Sequence, residues 1–471
     1  MTADQQHNRQ VALASIFDST DWTPYFDNEI AVVDTETGLA TTMPIADMAA
    51  AVLSAVAHAA AEVHSHRTGV TQTAKIDRRA ASIAMTAAEH LRVDGEIPST
   101  WDPLTRYYRT RDEKWLYLHT AFAHLRDGAL RLLNSAQDRQ AVSLAISALH
   151  ADTIEQAAID NGLTIAKLRT REEWFEHAHA QLLNTQPLIR LTRISDTKPI
   201  PLLNAPTSEQ APQPLGGLRT LDLSRVIAGP IAGRTLAEHG ATVMRVGSPK
   251  LPSIPGLVID TGFGKLSCHL DLKSTAGLEC LHRLGDDADI VLDGYRPGAL
   301  AGLGLSPQAL STRRPGIIIA SLSAFSNEGP WAGRRGFDTL VQATTGLATE
   351  NGNDQPRRLP CQPLDYMTGY LTAFGIMIAL LKRAQMGGSW HVETSLARTA
   401  NWIWEMSDHM AMETRPPKTN ASFESISELL SSTETKFGTV QSLAPVIQFS
   451  ETSAGFTSPP VPLGSHPPVW P

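Results

Sequence analysis

Asp365 stands in the tract CQPLDYMTGYLTAFGIMIALL, after Pro363 and ahead of a long apolar run. A carboxylate at the start of a helix accepts hydrogen bonds from the free amides of the first turn, the structural role that Asp fills most often. The same position suits nucleophilic chemistry. Helix amides favour the ionised carboxylate and lie beside any oxyanion formed when it attacks a carbonyl. The two roles are compatible, and on local sequence capping is the commoner. A second aspartate has a related setting. Displacing the chain by 318 residues lays MPIADMAAAVLSAVAHAAAEVHSHRTGV (43–70) over CQPLDYMTGYLTAFGIMIALLKRAQMGG (361–388) without a gap and puts Asp47 on Asp365. Five of the 23 positions from the aspartates to Gly69 and Gly387 are identical, in text where alanine abounds.

Charge adds a second clue. Between 225 and 335 twelve basic residues, among them Arg225, Arg245, Lys265, Lys273, Arg296 and Arg335, oppose nine acidic ones, so this window is +3 within a chain of −8. An anionic ligand fits here better than elsewhere, although most such charges on any surface are merely solvated. The acidic total disfavours a general nucleic-acid or anionic-membrane binder. Cys268, Cys280 and Cys361 have neither CxxC spacing nor paired histidines nearby. No disulfide framework and no metal site are expected, and a reducing, cytoplasmic setting is. The turn GPIAG at 229–233 is not the GxGxxG of dinucleotide sites, and a tight turn with a close-packed helix accounts for its glycines.

These residues need elements to hold them. A chain of 471 residues, 42% hydrophobic, allows about three units. The first runs to about 215, with Ala-rich helical text at 48–66, and ends in the Pro-rich linker 199–217. The second, 216–410, alternates short β-branched runs such as TVMRV, IVLDGY and GIIIASLS with helical spacing, which predicts an α/β fold with a doubly wound, mostly parallel sheet. A helix over 366–384 and a strand in HVETSLA follow. The third, 411–471, is Ser/Thr/Pro-rich with little periodicity and reads as an extended tail. The longest apolar stretch, 371–381, falls short of the ~20 residues that cross a bilayer, so no membrane span is expected.

LDLSRVIAGPIAGRTLAEHGATVMRV, CHLDLKSTAG, ADIVLDGYRPGALAGLGL, PGIIIASLSAF, EGPWAGRRGFDTLVQATTGL, PLDYMTGY and PLGSHPPVW together resemble successive motifs of the family III CoA-transferases, the CaiB/BaiF type, densely over 216–405. The resemblance implies a Rossmann-like CoA-binding domain with a smaller α+β domain, a homodimer, no permanently bound cofactor, and coenzyme A as substrate alongside an acyl-CoA and a carboxylic acid. It makes Asp365 the catalytic carboxylate, which attacks an acyl-CoA thioester, passes through a mixed anhydride and an aspartyl-CoA thioester, and hands CoA to the acid. CoA would lie along Val226, Ile227, Leu270, Lys273, Gly294 and Tyr295. The N-terminal YYRTRDEKWLYLHT (107–120) and LRTREEWFEHAHAQLLNTQPLI (168–189) are similar to the family's later half, which holds the smaller domain. The order of parts is then rearranged, with the Asp-bearing helix present twice and Asp47 a second copy of the nucleophile position. The α-methylacyl-CoA racemases share this fold, but their acid–base histidine falls at Phe337, which cannot carry a proton. Transfer is therefore favoured over racemisation, and a non-catalytic CoA-binding homologue is the remaining rival.

Overall fold

The computed structural model describes residues 3–98, 102–202, 213–349, 355–452 and 455–471. Residues 203–212 of the expected linker lie outside these. At the centre is a seven-stranded sheet in the order Lys265–His269, Thr242–Gly247, Arg219–Leu223, Ile290–Asp293, Ile318–Ser323, Ser389–Ser395 and Arg190–Ser195. All neighbours are parallel except the last pair, which is antiparallel. Runs such as Ile290, Val291, Leu292 and Ile318, Ile319, Ala320 are buried throughout, as strands covered by helices on both faces must be. The doubly wound α/β architecture expected from the alternating pattern is present.

The first region is joined to this sheet, because its strand Arg190–Ser195 forms one edge of it. Upstream, Arg106–Arg109, Trp115–Leu118 and Ile165–Lys167 make a small antiparallel sheet. Helices Ala123–Leu132, Arg139–Ser147 and Ala151–Asp160 cover it around a separate core that includes Leu116, Val142, Ile146 and Ile154.

Two helices run through the main core, Ile45–Thr68 and Pro363–Met386, and pack on each other. Each has 24 residues, and both ends differ by the same 318 positions that align Asp47 with Asp365. The second begins three residues before the predicted start, since proline is compatible with the first helical turn. Contrary to the length argument from the apolar stretch, both are long and apolar enough to cross a membrane; 94% of that apolar window is buried inside the fold in each, as in core helices of a folded domain.

The segment 411–471 is paired rather than a free tail. Leu430–Thr435 and Gly438–Leu443 form a hairpin that adds to Arg92–Val93, and Ile447–Phe449 pairs with Ala74–Asp77. Further on, the His466 amide donates to the Ser267 carbonyl at 2.8 Å, and the Ser267 amide to His466 Nδ1 at 3.1 Å. These partners are distant in sequence, so local periodicity carries no trace of them.

Candidate active site

The site forms where two neighbouring strands of the parallel sheet end, the usual ligand position in such sheets. After Arg219–Leu223 the chain turns through Ser224, Arg225, Val226 and Ile227 into the helix Ala228–Glu238. Buried Asp222 fixes that turn: it accepts from the Ser224 amide at 3.0 Å and hydroxyl at 2.5 Å, and from Lys265 Nζ at 2.8 Å. Burial lowers the Lys265 ammonium to about 8. Val226 has φ +73°, an uncommon conformation for a β-branched residue that clusters at functional sites. The loop after Ile290–Asp293 comes in close, because a side chain at Gly294 would meet Ser224 Cβ at 2.7 Å.

The helix Ala228–Glu238 meets the Asp365 helix at Gly369, where an added Cβ would lie 2.6 Å from the Ala228 carbonyl oxygen. This close approach brings the Ala228 amide to the Asp365 carboxylate, where it donates a hydrogen bond. Asp365 is the third residue of its helix and is 6% exposed. It does not cap that helix. Asp338, the first residue of Asp338–Thr344, does so instead: its Oδ2 accepts the Asp365 amide at 2.9 Å, and it also accepts from the Leu364 amide. Gln342 steadies Asp338 by donating to its Oδ1 at 2.5 Å and to the Cys361 carbonyl at 3.1 Å. With the capping role filled, the Asp365 carboxylate is left for chemistry.

The helix amides favour an ionised Asp365, and the rest of the site opposes them. Burial and then the charge of Asp338 push its carboxyl well above the ordinary range. Burial raises Asp338 to about 6, against the hydrogen bonds that it accepts. A charge on Asp338 thus disfavours ionisation of Asp365.

Asp365 opens into a cleft of about 630 Å³. Val226, Ile227, Gly294 and Tyr295 line it, four of the six residues expected to contact CoA. Leu270 lies in the core beneath the sheet ends, and Lys273 is exposed at the end of LDLK; neither lines the cleft. Arg225, Arg296 and Arg335 do, and none of the three has a carboxylate partner among the described residues. Arg225 sits 5.6 Å from the Phe122 ring centroid, and Arg335 Nη1 is 3.4 Å from His124 Nε2. Burial lowers both guanidiniums from their ordinary value. By contrast Arg245 and Lys265, also in the basic window, are buried close to Asp222.

Sequence reasoning missed Phe122, His124 and Leu125, which wall the cleft from the small sheet's side, and Asp338. The signal for Asp338 was an acid in the first turn of an apolar helix, in RRGFDTL. Phe337 also lines the cleft, stacked on His119 with ring centroids 4.2 Å apart. That imidazole is buried, held near a pKa of about 4 by burial, and does not line the cleft. Beyond Tyr295 lies a smaller cavity of about 270 Å³, lined in part by Ser321, His391 and Asp293, whose carboxyl burial raises to about 7. Among the described residues no cluster of His, Cys, Asp and Glu could hold a metal ion.

Asp47 is in a different state. It accepts from Arg78 Nε at 2.6 Å, Arg9 Nη1 at 3.3 Å and Asn8 Nδ2 at 3.2 Å, inside the core.

The succession of motifs around the cleft matches the sequence pattern of CoA-transferase family III over residues 215–429. The matched segment supplies every cleft residue except Phe122, His124 and Leu125. Three relatives are similar to it. The protein named probable fatty acyl-CoA transferase Rv3272 of Mycobacterium tuberculosis is 37% identical over 199 residues, 39% of this chain and 50% of that one. The acetyl-coenzyme A transferase nodX of Hypoxylon pulicicidum is 36% identical over 208 residues, 42% of this chain and 35% of that one. The succinate–glutarate CoA-transferase of Agrobacterium fabrum is 31% identical over 203 residues, 39% and 51% of the two chains. The chain thus spans about half, or less, of the length of these relatives.

Proposed function

We propose that the chain is a CoA-transferase that moves CoA from an acyl-CoA donor to a carboxylic acid, with Asp365 as the nucleophile. The observation that carries this reading is a buried carboxylate that, among the described residues, has no basic partner, in a cleft lined by three guanidiniums that pair with no described carboxylate.

One Asp365 carboxylate oxygen attacks the thioester carbonyl carbon; the carbon–sulfur bond breaks, and CoA thiolate leaves an acyl-aspartyl anhydride. The thiolate attacks the Asp365 carbonyl carbon, releasing the donor's acid and leaving an aspartyl-CoA thioester. The acceptor carboxylate displaces the thiolate to form a second anhydride. The thiolate then attacks the acceptor's carbonyl, and Asp365 leaves as the carboxylate. The Ala228 amide is placed to donate to oxyanions formed at the Asp365 carbon. Arg225, Arg296 and Arg335 suit the phosphates of CoA, and Val226, Ile227 and Tyr295 its pantetheine arm. Burial keeps water from the anhydride. The relatives' names differ in the acid and agree on CoA transfer.

Incubating the protein with a panel of acyl-CoAs and reading its intact mass tests this reading. A CoA adduct mapping to Asp365 is expected; an adduct on Asp47, or none with any donor, overturns the assignment.

The mechanism also sets a pH dependence. Asp365 attacks only when ionised, and the charge of Asp338 opposes that ionisation. The acid limb of turnover therefore lies above the ordinary carboxylate range in the native protein. Asp338→Asn retains an oxygen to accept the Asp365 amide and removes the neighbouring charge, so the limb moves to lower pH. A pH–rate profile with an unmoved limb sinks this coupling.

A further inference from the structure

The 318-residue correspondence extends past the two helices. After Ile45–Thr68 comes the strand Ala74–Asp77, and after Pro363–Met386 the strand Ser389–Ser395; their last residues, Asp77 and Ser395, again differ by 318. Each of these residues is the N-cap of the following helix, Arg78–Ala84 or Leu396–His409, and each accepts from the amide three residues on, Ala80 or Arg398. The helix, strand, cap and next helix therefore recur in one ungapped register, with no identical residue between 71–86 and 389–404.

The sheets repeat the correspondence. Ile30–Val33 and Ala74–Asp77 are parallel neighbours joined through the Asp47 helix, as Ile318–Ser323 and Ser389–Ser395 are through the Asp365 helix. In each case an antiparallel strand then completes the far side, and it comes from the other repeat. Arg190–Ser195, following the first repeat, closes the sheet of the second. Ile447–Phe449, following the second, closes the sheet of the first. The cleft follows the same plan, with Phe122, His124 and Leu125 from the earlier repeat facing Asp365 and the guanidiniums of the later one.

We propose that the chain is two half-copies of one unit, fused and exchanging strands, so that a single polypeptide builds one complete cleft without a second copy of itself. The first copy's carboxylate position, Asp47, is retired as a nucleophile and serves to hold the two repeats together. The fusion stands on topology alone; the retirement rests on the reading of Asp365 as nucleophile. In the first repeat the aspartate is occupied by Arg78, Arg9 and Asn8, whereas in the second the equivalent group faces a cleft. The Asp47 cluster crosses between repeats: Arg78 Nη2 also donates to Glu413 at 2.7 Å, and Asn8 both donates to the Ala411 carbonyl and accepts from its amide.

Paired cysteines across the exchanged strands test the fusion in the full-length chain. Lys75 faces Gln448, and Thr192 faces His391. The three native cysteines are buried and give little background. In Lys75→Cys/Gln448→Cys and in Thr192→Cys/His391→Cys, oxidation followed by denaturing, non-reducing electrophoresis is expected to leave a band of one chain, about 51 kDa. If a disulfide does not close, a bifunctional maleimide bridges the same pair. A cross-linked band of two chains from either pair means that strands exchange between molecules, and overturns the proposal. Intact mass after exposure to acyl-CoA tests the retirement: one CoA per chain, at Asp365, is expected, and two overturn it. No adduct at all counts against the proposed transfer reaction and leaves the cross-linking result to decide the fusion.

Discussion

Asp365→Asn is expected to lower turnover of any acyl-CoA and acid pair by at least about 10³-fold, some 4 kcal/mol of transition-state stabilisation, while the fold stays intact. An amide cannot form the anhydride, so the loss falls on the chemical step and not on acyl-CoA binding. The guanidiniums and the Val226–Gly229 turn remain in place. The stability of this variant gives an independent sign. The native carboxyl is raised by burial and by Asp338, so the folded protein holds protons there that the unfolded chain has already released. That contribution to stability is fully present below the unfolded carboxylate range and is lost as pH rises through the folded values, about 6 for Asp338. A neutral amide at 365 removes the repulsion. The variant is therefore expected to melt at or above the native temperature at pH 8, with the gap shrinking towards pH 5. A purely structural Asp365 gives the reverse: turnover preserved or stability lost. Steady-state kinetics and thermal unfolding at two pH values separate the outcomes.

The sequence made the sheet and the Asp365 helix readable because both are local signals, a β-branched run closed by a turn and a long apolar stretch after proline. It also made the equivalence of Asp47 and Asp365 readable through five identities. What it could not show is the company each aspartate keeps. Asp338 is 27 residues from Asp365 and takes the cap that a lone Asp before a helix would be assumed to make. Burial, and then the charge of that neighbour, push the Asp365 carboxyl upward, against the helix amides that favour its ionised form. The guanidiniums were visible as a basic window, but the window also contains Arg245 and Lys265, and only the fold sorts those held near Asp222 from those facing the cleft. The 411–471 strands were read as a tail because a strand of three to six residues is recognisable chiefly by its partner. Here those partners are Ala74–Asp77 and Arg92–Val93, far back in the chain. Likewise the repeat beyond the helices survives in geometry, at Asp77 and Ser395, after the identities have gone.

Arg78→Met is expected to destabilise the protein by about 3–5 kcal/mol, the largest stability effect among the polar positions discussed. Arg78 is 1% exposed and serves two carboxylates, Asp47 through Nε at 2.6 Å and Glu413 through Nη2 at 2.7 Å. Methionine fills much of the volume but leaves Asp47 with Arg9 and Asn8, and deprives Glu413 of its guanidinium. The cost comes from stranding buried charge, and the intact cluster contributes less than this difference. Adding Asp47→Asn and Glu413→Gln to Arg78→Met should therefore recover most of the loss. A surface pair gives the contrast: Lys250 and Asp271, 2.6 Å apart with both side chains well exposed, should change stability by no more than about 0.5 kcal/mol when Lys250 becomes Met. Thermal unfolding of the three variants checks the ordering, and an Arg78→Met protein that melts with the native one sinks it. The same measurement bears on why the first aspartate persists. If its carboxylate joins the repeats, as the bonds from Asn8, Arg9 and Arg78 and the shared arginine to Glu413 indicate, then Asp47→Asn alone should lower the melting temperature and leave the Asp365 adduct untouched. The equivalent aspartates of the two repeats would then divide the work, one at the cleft and one at the seam.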